Sequence, residues 1–336
     1  MPALMQDGRS LLRQLLLACV LLLGVAVPLP AFAQAAPIPL IGFLHSASAD
    51  PTKTLVEAFR QSLASQGYVE GRSLRIEYRW ADGRYERLPA MAADLVARRV
   101  ALIAATGGLV SAKAAMSTTS AVPILFVAGS DPVQEGLVAS IARPGGNATG
   151  VSVYSAELGK KRLELLRELV PVNTIGFLVN PGSISTVSEI TDLQEATRGS
   201  EVQIVVLEAR SDAELDRAFE DAVRQSVGAL MVSADSFFTS RRDQIVALAA
   251  RHKLPTSYPW PQYAEAGGLV SYGATLTWAY DQIGQYAARL LKGGKPSELP
   301  VQLPTTFEMV INARAARTLG ISIPPVVVAR ADRVIE

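Results

Sequence analysis

The chain has 336 residues, 49% of them apolar and 19% charged, with a formal net charge of +1. That length and composition suit about two domains with sizeable cores and exclude a disordered chain. Near-neutrality excludes a surface that gathers nucleic acid through its phosphates, and a single cysteine, Cys19, excludes a disulfide framework.

Residues 1–33 come first. Arg9 and Arg13 make a basic start, "LLLACVLLLGVAV" is an apolar run, and Ala31 and Ala33 stand at −3 and −1 of a cut before Gln34. This is the pattern of a cleavable secretory signal peptide; the run is short for a membrane anchor. Cys19, in "LLAC", offers a rival reading as an acylated lipoprotein cysteine, but much of the apolar run follows it and little precedes it. Without residues 1–33 the chain carries 30 basic and 30 acidic residues, no cysteine and no later apolar run of spanning length. The mature protein is therefore expected to be soluble.

The next segments alternate in type. "IPLIGFLHS" (38–46) reads as a buried strand, and "PTKTLVEAFRQSLASQG" (51–67) as a helix with Leu55, Val56, Phe59 and Leu63 on one face. Strand 73–81, helix 87–99, strand 100–106, helix 111–120 and strand 122–129 follow. Near-continuous apolar strands between helices predict an α/β fold with a parallel sheet covered on both faces. A short helix is expected from Asp131-Pro132 to Arg143-Pro144.

The order then recurs. "TIGFLVNPG" (174–182) repeats the Ile-Gly-Phe-Leu of 41–44, 134 residues on. Segments 202–210, 227–236 and 254–262 correspond in order to 74–82, 99–108 and 122–130. Two similar doubly wound lobes are predicted. "ARPGGNATGVS" (142–152) lies between the two sets. Its glycines do not follow a first strand as a dinucleotide loop requires. Its sequon, Asn147-Ala148-Thr149, is read as incidental. It is expected to be a joint, with Gly145, Gly146 and Gly150 as hinge residues and "TGVSVY" (149–154) as a crossing strand. "GGLVSYG" (267–273) is expected to return the chain to lobe one, where helix 276–294 packs, and 298–312 to cross again before a last helix at 313–321. The expected division is 37–148 plus 274–299 for lobe one and 151–270 plus 303–333 for lobe two. Hinges are expected near 145–153, 267–274 and 299–304.

Two lobes and three crossovers on a secreted chain resemble the type I periplasmic solute-binding proteins of ABC importers. "DPVQEGLVASIARPGGNATGVS", "KRLELLRELVP", "IGFLVNP", "GGLVSYG", "LPVQLPTTFEMVINARAARTLGISIP" and "ADRVIE" resemble the ABC-transporter substrate-binding family typified by tryptophan- and tyrosine-binding lipoproteins. The similarity runs from about residue 38 to the C-terminus. It implies a monomeric bilobed receptor with a permease partner in the inner membrane, and no enzymatic activity or cofactor. The signal peptide, in place of a clear lipoprotein signal, departs from the typical members and points to a Gram-negative periplasm.

Enzyme signatures are scarce. "GGLVSAK" (107–113) has the wrong spacing for a phosphate loop, and only His45 and His252 are available, with no HxxxH pair for a metal. A hydrolase would have to use His45, and no nucleophile elbow accompanies it. A ligand-sensing partner of a membrane kinase is the other alternative.

Ligands of parallel α/β sheets bind beyond the carboxyl ends of the strands. Lobe one there offers His45, Ser46 and Ser48, then Thr106, Gly107, Gly108 and Ser111, then Ser130 and Asp131. Lobe two offers Asn180, Ser183 and Ser185, then Asp235 and Ser236, then Tyr258 and Trp260. Ser46 and Ser48 suit helix capping as well as ligand contact, and Asp131 before Pro132 has the form of an N-cap. Thr106-Gly107-Gly108 at a helix start suits a carboxylate, Asp235 an ammonium, and Tyr258 or Trp260 an apolar or aromatic group. The set suits an amino-acid-like zwitterion or a small aromatic or organic acid.

Overall fold

The computed structural model describes residues 38–153 and 156–336. The signal-peptide residues and Cys19 lie outside the described residues.

Lobe one is built on a five-stranded parallel sheet in the order β2-β1-β3-β4-β5, with β1 Leu40–His45, β2 Arg75–Trp80, β3 Leu102–Ala105, β4 Ile124–Ala128 and β5 Ala148–Ser152. Side chains alternate across it. Ile41, Phe43, Leu102 and Leu125 meet helices α1 (Lys53–Ser65) and α10 (Leu276–Leu291) on one face. Leu44, Ile103 and Phe126 meet α2 (Leu88–Ala97) and α3 (Leu109–Thr118) on the other. Helix α10 arrives from the far end of the sequence and lies along α1, where Ser62 Oγ donates to Asp281 O at 2.7 Å.

Lobe two repeats the plan. Its seven-stranded sheet runs β12-β11-β10-β9-β8-β6-β7. These strands are β6 Thr174–Val179, β7 Gln203–Glu208, β8 Ala229–Val232, β9 Thr256–Tyr258, β10 Val270–Gly273, β11 Glu308–Asn312 and β12 Arg333–Ile335. All pairs are parallel except β10 with β11. Helices α4 (Ala156–Leu169) and α5 (Thr186–Thr197) cover one face through Leu163, Leu166 and Leu193. Helices α6 (Asp212–Arg224), α7 (Ser236–Ser240) and α8 (Arg242–Arg251) cover the other through Leu215, Phe219, Phe238 and Ile245. The short helices α9 (Pro261–Glu265), α11 (Ala313–Leu319) and α12 (Pro325–Arg330) complete the lobe. The repeated Ile-Gly-Phe occupies the same place in each sheet: β1 lies between β2 and β3, and β6 between β7 and β8.

The joints differ from expectation in detail. Residues 148–152 are a full strand of sheet one, paired with β4 from Ile124↔Ala148 to Ala128↔Ser152. The crossing comes after them, before α4. Gly145 and Gly146 precede this strand, so they lie in a loop of lobe one. Gly150 sits inside it, where a Cβ would fall 2.1 Å from Phe126 O. Its lack of a side chain thus serves close strand packing and not bending. The expected helix from 131 to 144 is a series of turns. The sequon is structural: Asn147 Nδ2 donates to Thr119 O and Val122 O, and Thr149 Oγ1 to Leu299 O at 2.6 Å. Residues 270–273 are a strand of sheet two, and the chain leaves it only to enter α10. On the way back, Gln302 bridges Val151 at the edge of sheet one before β11 joins sheet two.

Candidate ligand-binding cleft

Three loops of lobe one converge at the ends of β1, β3 and β4. His45, at the end of β1, is buried, and its Nδ1 accepts from Ala47 N at 2.9 Å. That places the ring proton on Nε2, which lies 2.8 Å from Tyr280 Oη and donates to it. Tyr280 donates in turn to Thr106 O at 3.1 Å. Burial lowers the His45 pKa from 6.5 to about 3 and raises that of Tyr280, so both stay neutral. His45 therefore holds Tyr280 and, through it, the loop after β3.

That loop opens α3. Gly108, at φ +81, is the N-cap, and no side chain caps the helix, leaving its first N–H groups without a side-chain acceptor. A Cβ on Gly107 would fall 2.2 Å from Ser46 N and 2.5 Å from Ser111 Oγ, so only glycine fits among the converging loops. Thr106, Ser111 and Ser130 are at most 4% exposed, and among the described residues their hydroxyls have no hydrogen-bond partner. A buried hydroxyl left unmatched costs about 1–3 kcal/mol. Three of them at strand ends and a helix start form an incomplete acceptor–donor set.

Lobe two meets these loops directly. Gly107 O accepts from Ser46 Oγ at 2.6 Å within lobe one and from Ser236 Oγ at 3.0 Å across the cleft. Tyr85, in the 3-10 turn Tyr85–Arg87 of lobe one, donates to Asp235 at 3.0 and 3.1 Å. Asn180 Nδ2 reaches the same carboxylate at 3.0 Å, and Asp235 also accepts from Phe237 N at 2.9 Å as the cap of α7. Burial pushes the Asp235 pKa up, and burial followed by the Asp235 charge pushes Tyr85 up. The carboxylate expected to hold an ammonium is instead committed to this interlobe contact.

A pocket opens beside the contact between Gly129 and Ala234. Its apolar walls include Phe177, Leu193, Met231, Trp260 and Tyr272, and its charged wall comprises Arg162, Glu189, Asp192 and Lys160. Arg162 is 8% exposed and donates to Val232 O and Leu158 O. Glu189, partly buried, accepts from Ser185 Oγ at 2.9 Å. Desolvation raises its pKa from 4.5 to about 7, against the opposing pull of Ser185 and Arg162.

The residues expected from the strand ends are thus sorted. Ser46, Thr106, Gly107, Ser111, Asn180, Asp235 and Ser236 lie around the interlobe contact, and Trp260 lines the pocket. Ser183 and Ser185 bond each other at 3.1 Å and lead to Glu189. Neither Ser46 nor Ser48 caps a helix; Ser48 offers only its carbonyl, to Thr52. Asp131 accepts from Val133 N and Gln134 N, as its place before Pro132 suggested. Tyr258 is core, stacked on Tyr263 at 4.8 Å, and does not face the pocket beside Trp260. Sequence reasoning missed Tyr85, Tyr280, Arg162 and Glu189. Arg162 carried a signal, being a charge on an otherwise apolar helical face with Leu165, Leu166 and Leu169, whereas Glu189 shares its face with Ser185, Thr186 and Asp192 and does not stand out. Among the described residues no His, Cys, Asp or Glu cluster could hold a metal ion, and no helix is long and apolar enough to cross a membrane.

Comparison with known proteins agrees with this architecture. Residues 41–335 match the family described as ABC transporter substrate binding protein. The tyrosine-binding protein of Clostridioides difficile (strain R20291) is 26% identical over 264 residues, spanning 78% of this chain and 75% of that protein. The crystal structure of a conserved domain protein from Vibrio cholerae O1 biovar eltor has a TM-score of 0.82 at 27% identity, covering 88% of this chain and 99% of that one. An ABC domain from Streptococcus pneumonia in complex with L-Trp has a TM-score of 0.80 at 26% identity, with the same coverage. The two parallel-sheet lobes are those of the type I periplasmic binding fold, and the chain belongs to the ABC transporter substrate-binding protein family.

Proposed function

We propose that this protein captures a small amino-acid-like or aromatic acid solute between its lobes in the periplasm, after loss of residues 1–33, and delivers it to an ABC permease. The observation that carries this reading is the set of three unpartnered buried hydroxyls, Thr106, Ser111 and Ser130, beside the uncapped start of α3. A carboxylate accepts from hydroxyls and from the N–H groups of a helix start, where the dipole also favours it. Trp260 and Tyr272 in the adjoining pocket suit an apolar or aromatic side chain. The relatives named for tyrosine and crystallised with L-Trp support the same class. Binding involves no covalent step: the ligand stabilises the conformation in which Tyr85 and Ser236 join the lobes, and the permease reads that conformation.

The test is a thermal-shift and calorimetric panel of L-Trp, L-Tyr, L-Phe, other amino acids and aromatic acids. One class should raise Tm with concentration as linkage requires. A panel without any shift refutes the ligand classes proposed.

A further inference from the structure

The pocket between α4 and α5 contains a buried cation. Arg162 projects from the apolar face of α4 and is more than nine-tenths buried. A guanidinium presents five N–H donors. Two carbonyls, Val232 O and Leu158 O, take one each, and among the described residues no carboxylate forms an ion pair with it. Arginine is charged at every working pH, so this wall keeps a fixed positive charge. The opposing groups are weaker counterparts. Glu189 is already bonded by Ser185, and Asp192 lines the same wall from one turn further along α5. Lys160 at the rim adds positive charge, while Phe177, Leu193, Met231 and Trp260 exclude water around the guanidinium. In such surroundings an arginine with unused donors is matched best by a carboxylate, which a planar fork can bind bidentately.

We infer that the ligand carries a second carboxylate at its distal end, bound by Arg162, in addition to the carboxylate held at the start of α3. The solute is then an amino-acid-like or aromatic compound of dicarboxylate character, longer than a plain aromatic amino acid. The inference rests on the reading of the cleft given above. It makes Arg162 the specificity-determining residue and Glu189 a group that limits affinity for the distal anion.

The experiment compares 4-carboxy-L-phenylalanine with L-phenylalanine and L-tyrosine, by calorimetry at pH 8, on the wild type, Arg162→Gln and Glu189→Gln. The carboxylated compound should bind the wild type at least tenfold tighter than L-phenylalanine. Arg162→Gln should reduce that advantage to within about threefold, a ratio that general destabilisation does not change. Glu189→Gln should increase the advantage several-fold, which keeps the proposal testable if Arg162→Gln does not fold. Binding of L-phenylalanine or L-tyrosine at equal or higher affinity overturns the distal-carboxylate proposal and leaves the amino-acid reading intact. So does an advantage that survives Arg162→Gln. Absence of binding by all three compounds and by the wider panel overturns both.

Discussion

Tyr85 and Asp235 join the two lobes: the phenol donates to both carboxylate oxygens, at 3.0 and 3.1 Å, from opposite sides of the cleft. Hydrogen bonds to a charged acceptor contribute about 1.5–3 kcal/mol. Asp235 keeps Asn180 and the Phe237 amide without Tyr85, so the loss falls on closure and not on lobe two. Tyr85→Phe should therefore shift the population toward open forms and weaken ligand binding roughly tenfold or more. Small-angle scattering should show a larger radius of gyration for the ligand-free variant. Unchanged scattering and affinity together would remove Tyr85 from the closing mechanism.

The orphaned hydroxyls give a prediction with opposite signs in two measurements. Thr106→Val keeps the shape of the side chain and removes a buried oxygen that has no partner among the described residues. Without ligand, the variant should be as stable as the wild type or more stable, since the unmatched polar group is gone. With ligand, it should bind about tenfold more weakly, because a hydrogen bond to the carboxylate is lost. Ser111→Ala should behave in the same way. A variant that loses stability but keeps its affinity would place these hydroxyls in the structure and outside the site.

The fold was largely legible because its signals are local. A buried parallel strand must be apolar throughout, and Ile41–Leu44 and Ile175–Leu178 state this twice in the same order. Strand ends then gave Thr106, Gly107, Ser111, Asn180 and Asp235, since position along a strand fixes which end faces the cleft. Other parts of the site depend on contacts between distant segments. Nothing near Tyr85 or Tyr280 in sequence points to Asp235, 150 residues away, or to His45, 235 residues away. Ambiguity in Gly145 and Gly150 had another cause. Glycine marks close packing as well as bending, and only the 2.1 Å approach to Phe126 O shows which applies at Gly150.

The link from His45 through Tyr280 to Thr106 should be cooperative. Tyr280→Phe leaves the His45 Nε2–H and the Thr106 carbonyl without their partner. The cost should be about 1–3 kcal/mol in urea denaturation. Because the Thr106 carbonyl also loses its anchor, ligand affinity should fall although Tyr280 lies outside the pocket. A double variant with His45→Leu should cost less than the sum of the two single changes. Additive effects would show that the two side chains do not act as a unit.

Two titrations oppose each other in the folded protein. His45 has a folded pKa of about 3 against 6.5 unfolded, so as pH falls below 6.5 the unfolded chain gains a proton that the native state refuses. Stability from this source falls with falling pH. Glu189 has a folded pKa of about 7 against 4.5 unfolded, so the native state binds the proton more tightly. Its contribution is complete below 4.5 and is lost as pH rises through 7. Between pH 4.5 and 6.5 each group alters stability by about 1.4 kcal/mol per pH unit, in opposite directions, and the two nearly cancel. Glu189→Gln removes one side of this balance. The stability of the variant minus that of the wild type should then rise by up to about 3 kcal/mol from pH 4.5 to 6.5. Urea midpoints measured across that range test the sign directly, and a difference that stays flat, or falls with pH, would mean that Glu189 is already ionised in the native pocket.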